Sequence, residues 1–144
     1  MGSRSAYSTT AGTLYFDGDC GMCTRAVNVL RRINRTGRLT LTPLQEPGLA
    51  HRLGITHQQL MASIWWIGDD GAIASAARAA NLAVATATGV RVPLWLYMIP
   101  GVGWTQEKVY AWVATHRQYF PGVTPYCEHA PQECGRSVTS PTPA

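Results

Sequence analysis

At 144 residues and 15.6 kDa the chain is sized for one domain with a single hydrophobic core. With 46% hydrophobic and 14% charged residues it is too apolar to be a disordered chain. A net charge of +4 is modest beside that of a dedicated nucleic-acid binder, so no nucleic-acid partner is expected.

Met1 to Gly12 is small and polar and lacks the apolar stretch of a secretion signal, so the expected compartment is the cytosol. Thr13 to Phe16 is a β-branched and aromatic run that ends in Asp17-Gly18-Asp19, a strand entering a turn. From Cys23 the apolar positions Val27, Leu30 and Ile33 recur at helical spacing. Arg25, Arg31, Arg32 and Arg35 fill the other face, and Gly37 is the expected stop. Leu39 and Leu41 alternate with Thr40 and Thr42 before Pro43, which predicts a second strand. Strand, helix and strand in so short a span imply a parallel βαβ unit.

Pro47 opens a short helical turn that ends near Gly54, and Thr56 with Gln59 fits a capping box for another. Ser63 to Ile67, then Asp69-Asp70-Gly71, then Ala72 to Ala74 read as a hairpin, which makes the sheet mixed. Ser75 to Thr88, closed by Gly89, and Thr105 to Phe120, before Pro121-Gly122, read as helices. The second is expected to gather Val109, Trp112, Val113 and His116 on one face. Between them, Val92 to Trp104 is shorter than the roughly 18 residues of a spanning helix and is broken by Pro93, Pro100 and Gly101. No transmembrane segment is expected. Trp65, Trp66, Trp95, Trp104 and Trp112 are read first as core and sheet cover. Leu94 to Ile99 is an alternative hydrophobic dock for a protein partner or a membrane surface.

The sharpest chemical feature is Cys20-Gly21-Met22-Cys23, placed where a strand and turn feed a helix. A CxxC alone is shared by zinc knuckles and redox enzymes, but at the helix start of a βαβ unit it favours thioredoxin-like chemistry. Two intervening residues in a first helical turn bring the sulfurs within disulfide reach. The first sulfur then lies beside unpaired N–H groups at the positive end of the helix dipole, which favours its thiolate. Position assigns Cys20 as nucleophile and Cys23 as the more buried thiol that resolves a mixed disulfide. Asp17 reads either as a proton acceptor for Cys23 or as a turn cap. Asp19 and Arg25 read either as charges that tune the pair or as a capping carboxylate and a solvated surface cation.

The run Tyr15-Phe16-Asp17-Gly18-Asp19-Cys20-Gly21-Met22-Cys23 resembles the signature of the DCC family of thiol-disulfide oxidoreductases, with Asp17, Cys20 and Cys23 at the defining letters. The likeness continues through the arginine-rich helix, Pro43-Leu44-Gln45, the Trp65-Trp66 hairpin and the segment from Pro121 to Cys127. The resemblance implies an α/β thioredoxin-like fold, with a mixed sheet of about four strands, flanking helices and an extra C-terminal helix. It places that domain at residues 12–134, between segments 1–11 and 135–144 that are expected to be disordered. The implied activity is exchange of a Cys20–Cys23 dithiol or disulfide with a protein or small-molecule disulfide. Beyond that redox pair it implies no cofactor, and it requires an electron donor. One departure from thioredoxin proper is visible: Met61-Ala62-Ser63 stands where a cis-proline would precede the third strand.

Two alternatives come from other classes. Cys127 and Cys134 lie in a proline-rich loop with His129 between them, and folded back on the CxxC they would offer a tetrahedral zinc site. The same two residues otherwise form a second thiol pair, whether free, joined as a local disulfide, or accepting the disulfide from Cys20 and Cys23. The other alternative is a redox-inactive binding module of the same fold. His51, His57 and His116 have no partner at ligand or triad spacing and are assigned no role.

Overall fold

A computed structural model of the protein describes residues 11–116 and 122–135. The expected disordered segments, apart from Ala11 and Gly135, and the expected helical residues 117–120 lie outside the described residues.

Among the described residues four strands form one sheet: β1 (Gly12–Phe16), β2 (Leu39–Pro43), β3 (Trp65–Gly68) and β4 (Ile73–Ser75), in the order β2-β1-β3-β4. β1 pairs parallel with β2 and antiparallel with β3, and β3 pairs antiparallel with β4. The predicted βαβ unit and hairpin are therefore both present, and the sheet is mixed. β2 and β4 are its edges. Gly71, at φ +87°, supplies the left-handed corner that lets the hairpin close tightly.

Seven α-helices accompany the sheet among the described residues: α1 (Gly21–Ile33), α2 (Leu49–Leu53), α3 (His57–Met61), α4 (Ala76–Thr88), α5 (Val92–Met98), α6 (Val102–His116) and α7 (Tyr126–His129). A 3₁₀ turn follows at Pro131–Cys134. α1 ends at Ile33 with Asn34 as its cap, not at Gly37, because the Asn34 N–H closes on the Arg31 carbonyl and its side chain bonds the Leu39 carbonyl. Gly37, at φ +68°, turns the loop that follows. α2 begins two residues after Pro47, since Gly48 takes a left-handed conformation at its N-cap. The capping box of α3 forms as read: the Thr56 hydroxyl accepts the Gln59 N–H, and the Gln59 side chain accepts the Thr56 N–H.

Strand alternation sorts the core into two layers. Leu14, Trp66 and Ala74, aligned across three strands, face α4. There the fully buried Ala79, Ala83, Ala85 and Ala87 let the helix backbone approach the sheet closely. Tyr15 faces the other way, onto Leu44, Leu49 and Leu60 around α2 and α3. α4 packs on α1, α5, α6 and the sheet, which makes it the central helix of its layer. The arrangement is the α/β thioredoxin-like fold, a mixed sheet with helices on its faces and further helices towards the C-terminus.

Two expectations on the later helices are corrected. Trp66 is 2% exposed, but Trp95, Trp104 and Trp112 are 61%, 67% and 56% exposed, so three of the five tryptophans are surface groups and not core. Within α6, Val109 and Trp112 face outward; the inward side carries Gln106, Glu107, Tyr110 and Val113. The reason is polar: Asn81 Nδ2 donates to Gln106 Oε1 at 2.7 Å, and Glu107 Oε1 accepts from the Arg78 N–H and the Tyr97 hydroxyl. The segment from Leu94 to Ile99 is mostly the helix α5, with Leu94 buried as its anchor and Trp95, Leu96, Met98 and Ile99 exposed. Among the described residues no helix is long and apolar enough to cross a membrane.

Candidate active site

The site is built on the junction of β1 and α1. β1 ends at Phe16, the chain turns through Asp17-Gly18-Asp19, and the Cys20 N–H returns to the Asp17 carbonyl at 3.2 Å. That closes a four-residue turn and delivers Cys20 as the N-cap of α1. Its sulfur accepts the Cys23 N–H at 3.2 Å, the contact a serine or aspartate oxygen makes at an ordinary N-cap. Charge on the sulfur strengthens such a bond. Cys20 and Cys23 both stand as thiols and both are half-buried.

Asp17 is 6% exposed, and a carboxylate so placed must be hydrogen-bonded. Its Oδ1 accepts the Asp19 N–H at 3.0 Å and Gln45 Nε2 at 2.8 Å. Asp17 thus makes the turn-capping contact that one reading assigned to it. It also lines, together with Cys23, a groove of about 740 Å³. The groove runs between α1 and the end of α6, is walled by Met22, Leu30, Tyr110 and Val113, and reaches the Met61-Ala62-Ser63 stretch that stands in place of the cis-proline. Asp19 is exposed and touches Gln45 Nε2 through Oδ2 at 3.3 Å. Arg25 lies exposed on α1.

Gln45 has a part in the site that reasoning from the sequence did not assign. Its Oε1 accepts the buried Gly18 N–H at 3.0 Å while its Nε2 serves both carboxylates. One side chain, from just beyond the end of β2, thereby fixes the whole turn before Cys20. Its position past the carboxyl end of a parallel strand was the available signal, since α/β sheets gather their sites there.

The C-terminal segment closes over the same turn. Cys127 and Cys134 form a disulfide, with Cα atoms 5.8 Å apart. The Cys127 N–H donates to the Gly18 carbonyl at 2.9 Å, the Tyr126 N–H to Thr24 Oγ1 at 3.0 Å, and the Val123 N–H to the Gly21 carbonyl at 3.3 Å. Thr24 Oγ1 in turn donates to the Cys20 carbonyl. A Cβ added at Gly18 would lie 2.5 Å from Cys127 Sγ, so glycine is what allows the disulfide to rest on the turn. The Tyr126 ring meets Phe16 edge-on and lies under Arg31, and its hydroxyl donates to Glu133. Partial burial, and then Glu133, push the phenol above its usual range, with Arg31 opposing.

Among the described residues no group of three or more His, Cys, Asp or Glu side chains is placed to hold a metal ion. Two of the four sulfurs that the zinc alternative needs are bonded to each other.

Neither a search of curated proteins nor one of solved structures finds a match. A family model described as DCC1-like thiol-disulfide oxidoreductase matches residues 14–123, which takes in the motif turn, Gln45, the hairpin and α6 but ends before Cys127. With the strand, turn, thiol-capped helix and mixed sheet in place across that span, the chain belongs to the DCC1-like thiol-disulfide oxidoreductase family.

Proposed function

We propose that the chain exchanges disulfides through Cys20 and Cys23. The observation that carries this reading is Cys20 at the N-cap of α1 with its sulfur bonded to the Cys23 N–H, which puts both sulfur-bearing residues in one helical turn. In the reducing direction the Cys20 thiolate attacks a substrate disulfide. A Cys20–substrate bond forms, the substrate S–S bond breaks, and one substrate sulfur leaves and takes a proton. Cys23 then passes its proton to Asp17, which lines the same groove, and attacks Cys20 Sγ; the second substrate sulfur leaves and a Cys20–Cys23 disulfide remains. An external dithiol restores the pair, and the reverse sequence oxidises a substrate. The redox group is the cysteine pair itself, Asp19 and Arg25 set the charge around it, and the compartment is the cytosol.

Partners are a disulfide or thiol substrate and an electron donor. A protein partner docks on α5 and its end, where Trp95, Leu96, Met98 and Ile99 are exposed apolar residues within five positions of the chain.

The test is equilibration in graded glutathione buffers, followed by alkylation and peptide mass mapping, with zinc measured on the same sample. Cys20 and Cys23 should lose their free thiols together as one cooperative pair, and Cys20→Ser should abolish reduction of a model disulfide. A pair that stays reduced in every buffer, wild-type turnover in Cys20→Ser, or about one equivalent of bound zinc would each overturn the reading.

A further inference from the structure

Beyond the family-matched region lies a second sulfur pair, and its placement is specific. Asp17, Gly18, Asp19 and Cys20 form one closed turn. Cys127 Sγ rests on Gly18 at one corner of it, close enough that a single added carbon would collide, while the Cys20 thiol is carried on the turn's last residue. Cys127 and Cys134 are 1% and 6% exposed, so dissolved thiols and disulfides have little access to either sulfur. The chain contains four cysteines, so the other thiols tethered in this molecule are Cys20 and Cys23. A disulfide shielded from solvent and seated on the turn whose last residue is Cys20 has a tethered thiol two residues along the chain from the glycine it rests on, the kind of neighbour that intramolecular exchange needs.

We propose that Cys127–Cys134 is an internal exchange partner of the Cys20–Cys23 pair, a relay through which a disulfide passes within one chain. The proposal rests on the exchange chemistry at Cys20 given above. The Cys20 thiolate attacks Cys127 Sγ; a Cys20–Cys127 bond forms, the Cys127–Cys134 bond breaks, and Cys134 leaves as a thiolate that takes up a proton. Cys23, losing its proton, attacks Cys20; the Cys20–Cys23 bond forms and Cys127 leaves as a thiol. Two electrons move from one pair to the other and no outside oxidant is consumed. The three hydrogen bonds donated by the Val123, Tyr126 and Cys127 N–H groups to the Gly21 carbonyl, Thr24 Oγ1 and the Gly18 carbonyl hold the two pairs together during the transfer.

The test uses the full chain. In Cys23→Ser/Cys134→Ser one thiol of each pair remains; treatment of the reduced protein with oxidised glutathione, then alkylation and peptide mapping, should yield the Cys20–Cys127 disulfide. Glutathione on Cys20 with Cys127 still a thiol would overturn the relay. Because that variant is exposed to misfolding, wild-type protein gives a second measurement. Fully oxidised chain receives one equivalent of phosphine, and fully reduced chain receives one equivalent of oxidant. Both should converge on one distribution of the single disulfide, at a rate independent of protein concentration. Two persistent, different distributions would refute the relay. If Cys20–Cys23 still titrates as a pair in glutathione while Cys127–Cys134 never opens, the relay fails and the exchange reading survives.

Discussion

Replacing Gln45 with leucine removes the side chain that organises the motif turn and keeps its bulk. Three contacts go: the 2.8 Å bond to Asp17 Oδ1, the 3.0 Å bond from the Gly18 N–H, and the 3.3 Å bond to Asp19 Oδ2. The first is a bond to a buried charged acceptor, a class that contributes about 1.5–3 kcal/mol, and the loss of the second leaves a buried N–H without its acceptor at about 1–3 kcal/mol. The third involves an exposed carboxylate and contributes little. Some water entry at the half-buried Gln45 position offsets part of this, so the expected destabilisation is about 2–4 kcal/mol. For a chain of this length that is a fall of roughly 6–12 °C in Tm. Urea and thermal unfolding, both with the Cys127–Cys134 disulfide intact, measure it. A cycle with Asp17→Ala, which removes the acceptor outright, and the double variant should return a coupling of at least about 1 kcal/mol. If Gln45→Leu unfolds within about 0.5 kcal/mol of wild type and the coupling vanishes, Gln45 does not hold the turn.

Two further outcomes follow from neighbouring contacts. Gly18→Ala places a carbon 2.5 Å from Cys127 Sγ and 3.1 Å from both Gln45 Oε1 and Pro43 Cβ, and a bonded sulfur cannot rotate away. The cost should be about 1–3 kcal/mol, and a dithiothreitol titration read by alkylation should show Cys127–Cys134 opening at lower reductant than in wild type. Tyr126 should ionise above the usual 10.0 of a phenol, as followed at 295 nm against Tyr126→Phe, and Glu133→Gln should bring it down. Because its folded value is raised, the stabilisation from its neutral form is complete below the unfolded value and is lost as pH climbs through the folded one. The stability gap between wild type and Tyr126→Phe should accordingly close in strongly alkaline solution.

What the sequence disclosed was local. The alternation before Asp17, the Val27-Leu30-Ile33 spacing, the Thr56/Gln59 box and the Asp69-Asp70-Gly71 turn each act within a few residues, and each produced the element read from it. Cys20 and Cys23 were legible as a pair for the same reason. Gln45 reaches Asp17 across 28 positions and Tyr126 reaches Thr24 across 102, and no periodicity encodes contacts of that range. The outward turn of Val109 and Trp112 shows a different failure. Apolar spacing assigns the buried side of a helix only where apolar groups fill the contact, and in α6 the contact with α4 is made by Gln106 and Glu107. The habit of aromatic burial assigns Trp95 to the core, a tendency that α5, a short helix whose buried residue is Leu94, does not satisfy.

The two borders of the sheet constrain how another polypeptide can meet this molecule. β4 is three residues long, and β2 ends in Pro43, which has no N–H to give. A visiting extended chain therefore finds a three-residue ladder at β4, and at β2 a five-residue edge whose last position donates nothing and against which the Pro131–Cys134 turn packs, so both borders are poor templates for an added strand. Among the described residues the sheet borders thus favour contacts made by side chains over the addition of a strand.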